Sequence, residues 1–110
     1  MILIFGGAYQ GKLDYAEKRF ASGENEIIDG FDKWILELVK AEADVAAKVR
    51  EFIEGHPGAV VICDDISCGV VPTDPVMRKW REAVGRSLAA LSQKSEEVIR
   101  LFCGIPAKIK

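Results

Sequence analysis

The sequence is poor in the residues that build metal sites and disulfide frameworks, with one histidine and three cysteines in 110 residues. Cys63 and Cys68 are separated by four residues where a zinc or redox motif has about two, and Cys103 stands alone. The thiols therefore read as buried or spectator groups. Charge of one sign is also lacking: 15 Lys and Arg face 17 Asp and Glu, a formal net charge of −2, with the basic residues scattered among acidic ones. That excludes a broad phosphate-tracking surface, so nucleic acid is not an expected partner. No apolar run approaches the roughly 18 residues of a membrane span. The opening MILIFGGAYQGK lacks the charged region and cleavage site of a secretory signal. A cytoplasmic protein is the expectation, without a membrane partner.

What is present suits one compact core. Hydrophobic residues make up 49% of the chain and the mean hydropathy is +0.09, which fits a single domain over residues 1–110. The apolar run at residues 2–5 ends in Gly6-Gly7 and reads as a buried strand that turns sharply into a helix over residues 12–20. A second short strand is expected at residues 26–29. From Phe31, apolar positions at Trp34, Ile35, Leu38, Val39, Val45, Val49, Phe52 and Ile53 carry the spacing of one long amphipathic helix. The run at residues 59–63 looks like a central strand covered on both faces. A loop over residues 67–72 leads to Thr73 or Asp74 as N-cap of a further helix through Val76, Trp80, Val84 and Leu91. Residues 97–103 return as a last strand, followed by a tail. The order β-α-β-α-β-α-β predicts a small, mainly parallel sheet with helices on both faces.

One motif carries chemistry. Gly6-Gly7-Ala8-Tyr9-Gln10-Gly11-Lys12-Leu13 matches the phosphate-binding pattern G-x-x-x-x-G-K-[ST] except at Leu13, which stands where a hydroxyl is usual. Glycines let successive backbone N–H groups turn toward one phosphate, the following helix adds the positive end of its dipole, and Lys12 adds a full charge. The missing hydroxyl is normally a ligand to Mg²⁺, so metal-assisted phosphoryl transfer is the part that Leu13 weakens. A tight strand-to-helix connection is the other use of such a turn. Asp29, Asp64 and Asp65 all follow apolar runs, and in a parallel sheet they gather at the same edge as Lys12; helix capping and turn formation are their other uses. His56 falls between a helix end and a strand start, at the opposite edge, and reads as a surface turn residue.

Three segments together resemble the bifunctional adenosylcobinamide kinase / adenosylcobinamide-phosphate guanylyltransferase family. They are residues 4–17 around the glycine loop, Ile27-Ile28-Asp29-Gly30-Phe31 before Trp34, and residues 60–110. Within the last, Asp64-Asp65-Ile66-Ser67-Cys68-Gly69-Val70-Val71-Pro72 is similar to the family's Asn-Glu-Val-Gly-x-Gly-Ile-Val-Pro loop, and Arg78, Arg81, Gly85, Arg86 and Leu88 continue in register. The resemblance implies a P-loop NTPase fold of the RecA-like kind, a trimeric homo-oligomer, and a place in cobalamin assembly. Family members phosphorylate the aminopropanol arm of a corrinoid with a nucleoside triphosphate. They then transfer GMP from GTP through a guanylylated histidine.

Carried over by position, the resemblance makes Gly6, Gly7, Ala8, Tyr9, Gln10, Gly11, Lys12 and Leu13 the binding loop for GTP or ATP. Lys12 and Asp65 are the catalytic candidates, and Asp29 and Asp65 the Mg²⁺ candidates. The sequence departs from the family at Leu13, at Tyr9-Gln10 in place of Arg-Ser, and at Asp64 in place of asparagine. Only residues 21–26 span the interval where the family places its guanylyl-accepting histidine. The expectation is a nucleotide-binding protein that has lost guanylyl transfer. Two alternatives stay open: a reduced kinase that still turns nucleotide over, and a non-catalytic structural or interaction domain that binds none.

Overall fold

A computed structural model describes residues 1–66 and 72–110. Of the loop expected over residues 67–72, residues 67–71, with Cys68 among them, lie outside the described residues. Among the described residues five strands and four helices follow in the order β1 (Ile2–Gly6), α1 (Lys12–Arg19), β2 (Ile27–Ile28), α2 (Phe31–Lys40), α3 (Val45–Gly55), β3 (Val60–Asp64), α4 (Pro75–Lys94), β4 (Glu97–Phe102) and β5 (Ile105–Lys108). The sheet order is β2-β3-β1-β4-β5. β1 runs parallel to β3, with Ile2 opposite Val60, and parallel to β4, with Ile2 opposite Glu97. β2 is parallel to β3, and β5 alone is antiparallel. The predicted α/β architecture with a mainly parallel sheet is the one observed.

Side-chain alternation along the strands divides the core into two layers. Leu3, Val61, Cys63 and Val98 face α2, α3 and α4, where Phe31, Ile35, Val49, Val84 and Leu91 cover them. Ile2, Ile4, Val60, Ile62, Ile99 and Leu101 face α1, where Ala16 is fully buried and Tyr15 and Phe20 pack alongside. Trp34 lies against Phe31 and Phe52, with ring centroids 5.2 and 5.5 Å away. Its expected place in the core is observed as partial burial. The Cys63 thiol is pushed well above its ordinary range by burial, and it donates to the Asp64 carbonyl oxygen at 3.4 Å. That leaves an inert packing group.

Two expectations are corrected. The single long helix from Phe31 is two helices, because the chain turns at residues 41–44. Ala43 N–H donates to Leu38 O at 3.0 Å and Glu42 N–H to Val39 O at 3.1 Å, the paired bonds of a Schellman stop, with Glu42 left-handed at φ 54°. Asp44 then opens α3 by accepting from Ala47 N–H at 3.1 Å. The tail expected after residue 103 is a fifth strand. Cys103 and Gly104, at φ 52° and 75°, form a two-residue turn of the kind that matches hairpin twist, and Phe102 pairs with Ile105. Pro106 is tolerated because β5 is the sheet edge.

Across the α1 face, Arg19 grips Glu97 with both nitrogens, Nη1 to Oε1 at 2.6 Å and Nη2 to Oε2 at 2.8 Å. The guanidinium's hydrogen bonds hold the Glu97 carboxyl below its ordinary value of about 4.5. Stability from this pair is therefore complete above that value and is lost as pH falls through the lowered one. Glu97→Gln should lower the melting temperature at neutral pH, and the gap to the parent should close as the pH falls below the ordinary carboxyl value and through the lowered one. A gap independent of pH would show that the pair contributes nothing through ionisation.

Glu42 offers a second test. A left-handed residue with a side chain costs roughly 1–2 kcal/mol, against roughly 0.4–1 kcal/mol of unfolded-state entropy that glycine adds. Glu42→Gly should therefore stabilise the fold by about 0.5–1 kcal/mol in urea unfolding. A loss would mean that the Glu42 side chain itself holds the turn.

Candidate phosphate-binding site

β1 is the central strand, and the chain leaves it through α1 on one face of the sheet while it leaves the neighbouring parallel strand β3 toward α4 on the other. The crevice at its carboxyl end is where open α/β sheets bind ligands. The turn that follows is shaped by glycine at two points. Gly6, at φ 152°, lies so close to β4 that a Cβ would sit 2.4 Å from the Leu101 carbonyl oxygen. Gly11, at φ 84°, is the left-handed N-cap from which α1 starts. Between them Tyr9 is left-handed at φ 59° and fully exposed. Gln10 ties the turn to the hairpin, its Oε1 accepting from Cys103 N–H. Asp65 N–H donates to Gly6 O at 2.8 Å, which fixes the base of the turn against the end of β3.

Lys12 is the first residue of α1, yet it is only 6% exposed. Its Nζ donates to Gly7 O at 2.6 Å and lies 2.6 Å from Asp64 Oδ1. Asp64 is oriented in turn by Asp32, a carboxylate 4% exposed whose Oδ1 accepts from Asp64 N–H at 3.2 Å. Trp80 Nε1 donates to the Asp32 carbonyl oxygen at 2.7 Å and so locks the first turn of α2 to α4. The lysine is held inside the turn with a counter-ion in place.

A hollow of about 220 Å³ is lined by Tyr9, Gln10, Gly11, Lys12, Leu13, Asp14, Asp29 and Asp64, with Ile62 beneath. Its volume suits phosphate groups rather than a complete nucleotide, given the roughly 300–1,000 Å³ of ordinary small-molecule pockets. Leu13 brings an apolar side chain to the rim, 40% exposed. Asp14 is paired with Lys18 at 3.0 Å. Asp29 accepts from Gly30 N–H at 2.8 Å through one oxygen. Asp29 and Asp64 therefore come together with Lys12. Asp65, one residue beyond, meets the turn through its backbone and is not among the lining residues.

Among the described residues no group of three or more His, Cys, Asp or Glu is placed to hold a metal ion by itself. Mg²⁺ commonly takes one or two carboxylates and completes its shell with substrate phosphates and water, and Asp29 with Asp64 fits that mode. His56 lies at the far edge of the sheet. Its Nδ1 donates to Phe52 O at 2.9 Å and its ring stacks on Phe52 with centroids 4.3 Å apart.

Sequence reasoning brought Asp64 to the right edge but did not pair it with Lys12. It missed Asp32, which sits in the first turn of a helix where an acidic residue reads as a dipole partner. It also missed the contact from Gln10 to Cys103, which spans most of the chain and leaves no local signal.

Residues 22–109 match the family described as cobinamide kinase / cobinamide phosphate guanyltransferase. No individual curated protein matches the chain. The match begins beyond α1, so the glycine turn and Lys12 lie outside it and stand on their geometry.

The close approach at Gly6 separates two glycines that look alike in sequence. Gly6→Ala should destabilise the fold by about 2–3 kcal/mol, because the obstructing atom is a strand carbonyl that cannot yield. Gly7→Ala, whose new Cβ would meet only Gln10 Cγ at 3.8 Å, should stay within about 0.5 kcal/mol of the parent. Equal losses in urea unfolding would show that Gly6 is not the rigid point of the turn.

Proposed function

Because the chain belongs to the cobinamide kinase / cobinamide phosphate guanyltransferase family, we propose that it is a nucleotide-binding protein of cobalamin biosynthesis. In this reading it grips the phosphates of GTP or ATP through residues 6–13 and has lost guanylyl transfer. The observation that carries the reading is Lys12. An ammonium held inside a glycine turn, at a helix N-terminus and at the carboxyl end of the central strand, is a phosphate-binding arrangement. The loss of guanylyl transfer is supported by the chain's one histidine, which sits at the opposite edge of the sheet, engaged with Phe52.

Asp64 gives this site a character of its own. The resemblance places asparagine at that position, whereas here a carboxylate neutralises the lysine at 2.6 Å. An incoming phosphate must displace Asp64 from Lys12 or arrive with a cation that engages Asp64. Mg²⁺ held by Asp64 and Asp29 would do the second, and would supply charge neutralisation at the phosphates. Asp65, the other catalytic and metal candidate, would act from beside this pair. The same pair of carboxylates favours a second reading, a reduced kinase in which Lys12 stabilises charge on the transferred phosphoryl group. Corrinoid binding and assembly as a homo-oligomer, a trimer by resemblance, belong to the same proposal.

Calorimetric titration with GTP and ATP, with and without Mg²⁺, tests these readings. Lys12→Ala should abolish binding. Asp64→Asn should tighten Mg²⁺-free triphosphate binding by about ten-fold, or about 1.4 kcal/mol. The same variant should cost up to about 3 kcal/mol of stability, since it leaves a buried ammonium without its partner. Product formed with Mg²⁺ would establish the kinase reading over binding alone. No heat from either the parent or Asp64→Asn would sink both and leave a structural or interaction domain.

A further inference from the structure

At the tip of the glycine turn the chain carries an aromatic ring that its own fold does not use. Tyr9 is fully exposed, so its side chain buries nothing against the rest of the protein. Its backbone is left-handed at φ 59°, a conformation that glycine adopts freely and that a residue with a Cβ adopts at a cost. Gln10 braces the position from both sides: its Nε2 donates to Ala8 O at 3.5 Å, and its Oε1 accepts from Cys103 N–H. The ring thus stands on a tied turn at an unfavourable backbone angle, with no packing gained in return.

That ring lines the phosphate hollow, where Lys12, Asp14, Asp29 and Asp64 make the polar part of the lining and Tyr9 and Leu13 are its exposed apolar side chains. A hollow of about 220 Å³ takes phosphate groups, so the rest of a nucleotide held there lies at the rim. An exposed aromatic face beside a phosphate site is complementary to a flat, weakly hydrated ring joined to those phosphates. Stacking of a base on such a face raises affinity roughly five-fold to a hundred-fold. A ligand charged throughout its length would leave the ring in water and gain nothing from it.

We propose that the Tyr9 ring is the platform on which the purine base of the bound nucleotide stacks. The proposal rests on the phosphate reading of the turn and adds to it the side chain that holds the nucleoside. Stacking uses the face of the base rather than its edge, so this contact accepts guanine and adenine alike. The two Gln10 hydrogen bonds set the turn tip before the ligand arrives, which lowers the ordering needed on binding.

The test is calorimetric titration with GTP, ATP and inorganic tripolyphosphate, which carries the phosphates without a base, each in the presence of Mg²⁺. The parent should bind both nucleotides about ten-fold or more tighter than tripolyphosphate. Tyr9→Ala keeps a Cβ at the left-handed position and removes only the ring. It should lower the ratio of GTP to tripolyphosphate affinity, and that of ATP to tripolyphosphate, by about ten-fold, with a melting temperature matching the parent's because the ring packs on nothing. Tyr9→Phe, which keeps the aromatic face, should retain both ratios. Ratios equal in the parent and Tyr9→Ala would overturn the proposal, as would a fall confined to one nucleotide. Tripolyphosphate bound by the parent as tightly as GTP and ATP would overturn the stack and leave the phosphate turn standing, whereas a parent that binds none of the three would overturn both.

Discussion

The contact between Gly6 and the Leu101 carbonyl is the constraint on which the rest of the molecule depends. β1 is hydrogen-bonded to β3 on one side and β4 on the other, so neither neighbour can shift without moving the strand that starts the functional turn. With no Cβ at Gly6, β4 closes against the end of β1, and the chain leaves the sheet at a φ that a side chain would resist. That exit angle sets where Gly11 must start α1, and Gly11 sets where Lys12 stands. The sheet is therefore a jig for one lysine. The alternation that buries Ile2 and Ile4 under α1 and Leu3 under α2–α4 keeps the jig rigid from both faces.

Burying an ammonium is costly unless its charge is matched. Here it is matched through a relay of backbone and carboxylate: Lys12 to Asp64, Asp64 N–H to Asp32, and the Asp32 carbonyl to the indole of Trp80. The relay joins α1, β3, α2 and α4, so a large part of the fold has a stake in where the lysine points. It also means that the charge of Lys12 is already compensated in the resting turn. The proposed anion binding would then be an exchange of one anion for another, its affinity depending on what becomes of the Asp64 charge rather than on Lys12 alone. On the proposed reading, a carboxylate at this position would trade phosphate affinity for a folded state that tolerates a buried lysine.

Parts of this were legible because the signal was local. The apolar run before Gly6-Gly7, the glycine-lysine spacing and the run before Asp64 each determine their own element. The break between α2 and α3 was hidden because Leu38, Val39, Val45 and Val49 keep helical spacing across it, and the left-handed position carries Glu42 rather than the usual glycine. Asp44, an N-cap residue directly before Val45, was the available clue. β5 was hidden for the opposite reason. Cys103-Gly104 is a weaker turn signal than Asn-Gly, and Pro106 argues against a strand until the strand is known to be an edge. At the site, residue types were readable but pairings were not, since the partner of Lys12 is settled only when β3 is laid beside β1.

Family membership and the proposed phosphate role of the turn rest on different parts of the chain, and their agreement matters for that reason. The matched residues 22–109 hold β2 through β5 and none of the turn. The turn, in residues 6–12, is recognised by φ angles, a buried lysine and a helix start that the family match does not include. A chain could keep the family's sheet while its first strand drifted into a plain connection. Such drift would remove the left-handed glycine and expose the lysine, because nothing structural requires an ammonium inside a strand-to-helix turn. Lys12 is instead buried and matched, by a carboxylate where the resemblance implies asparagine. The cost of holding it there is the physical reason to regard the turn as retained for an anion, independently of whether any transfer chemistry survives.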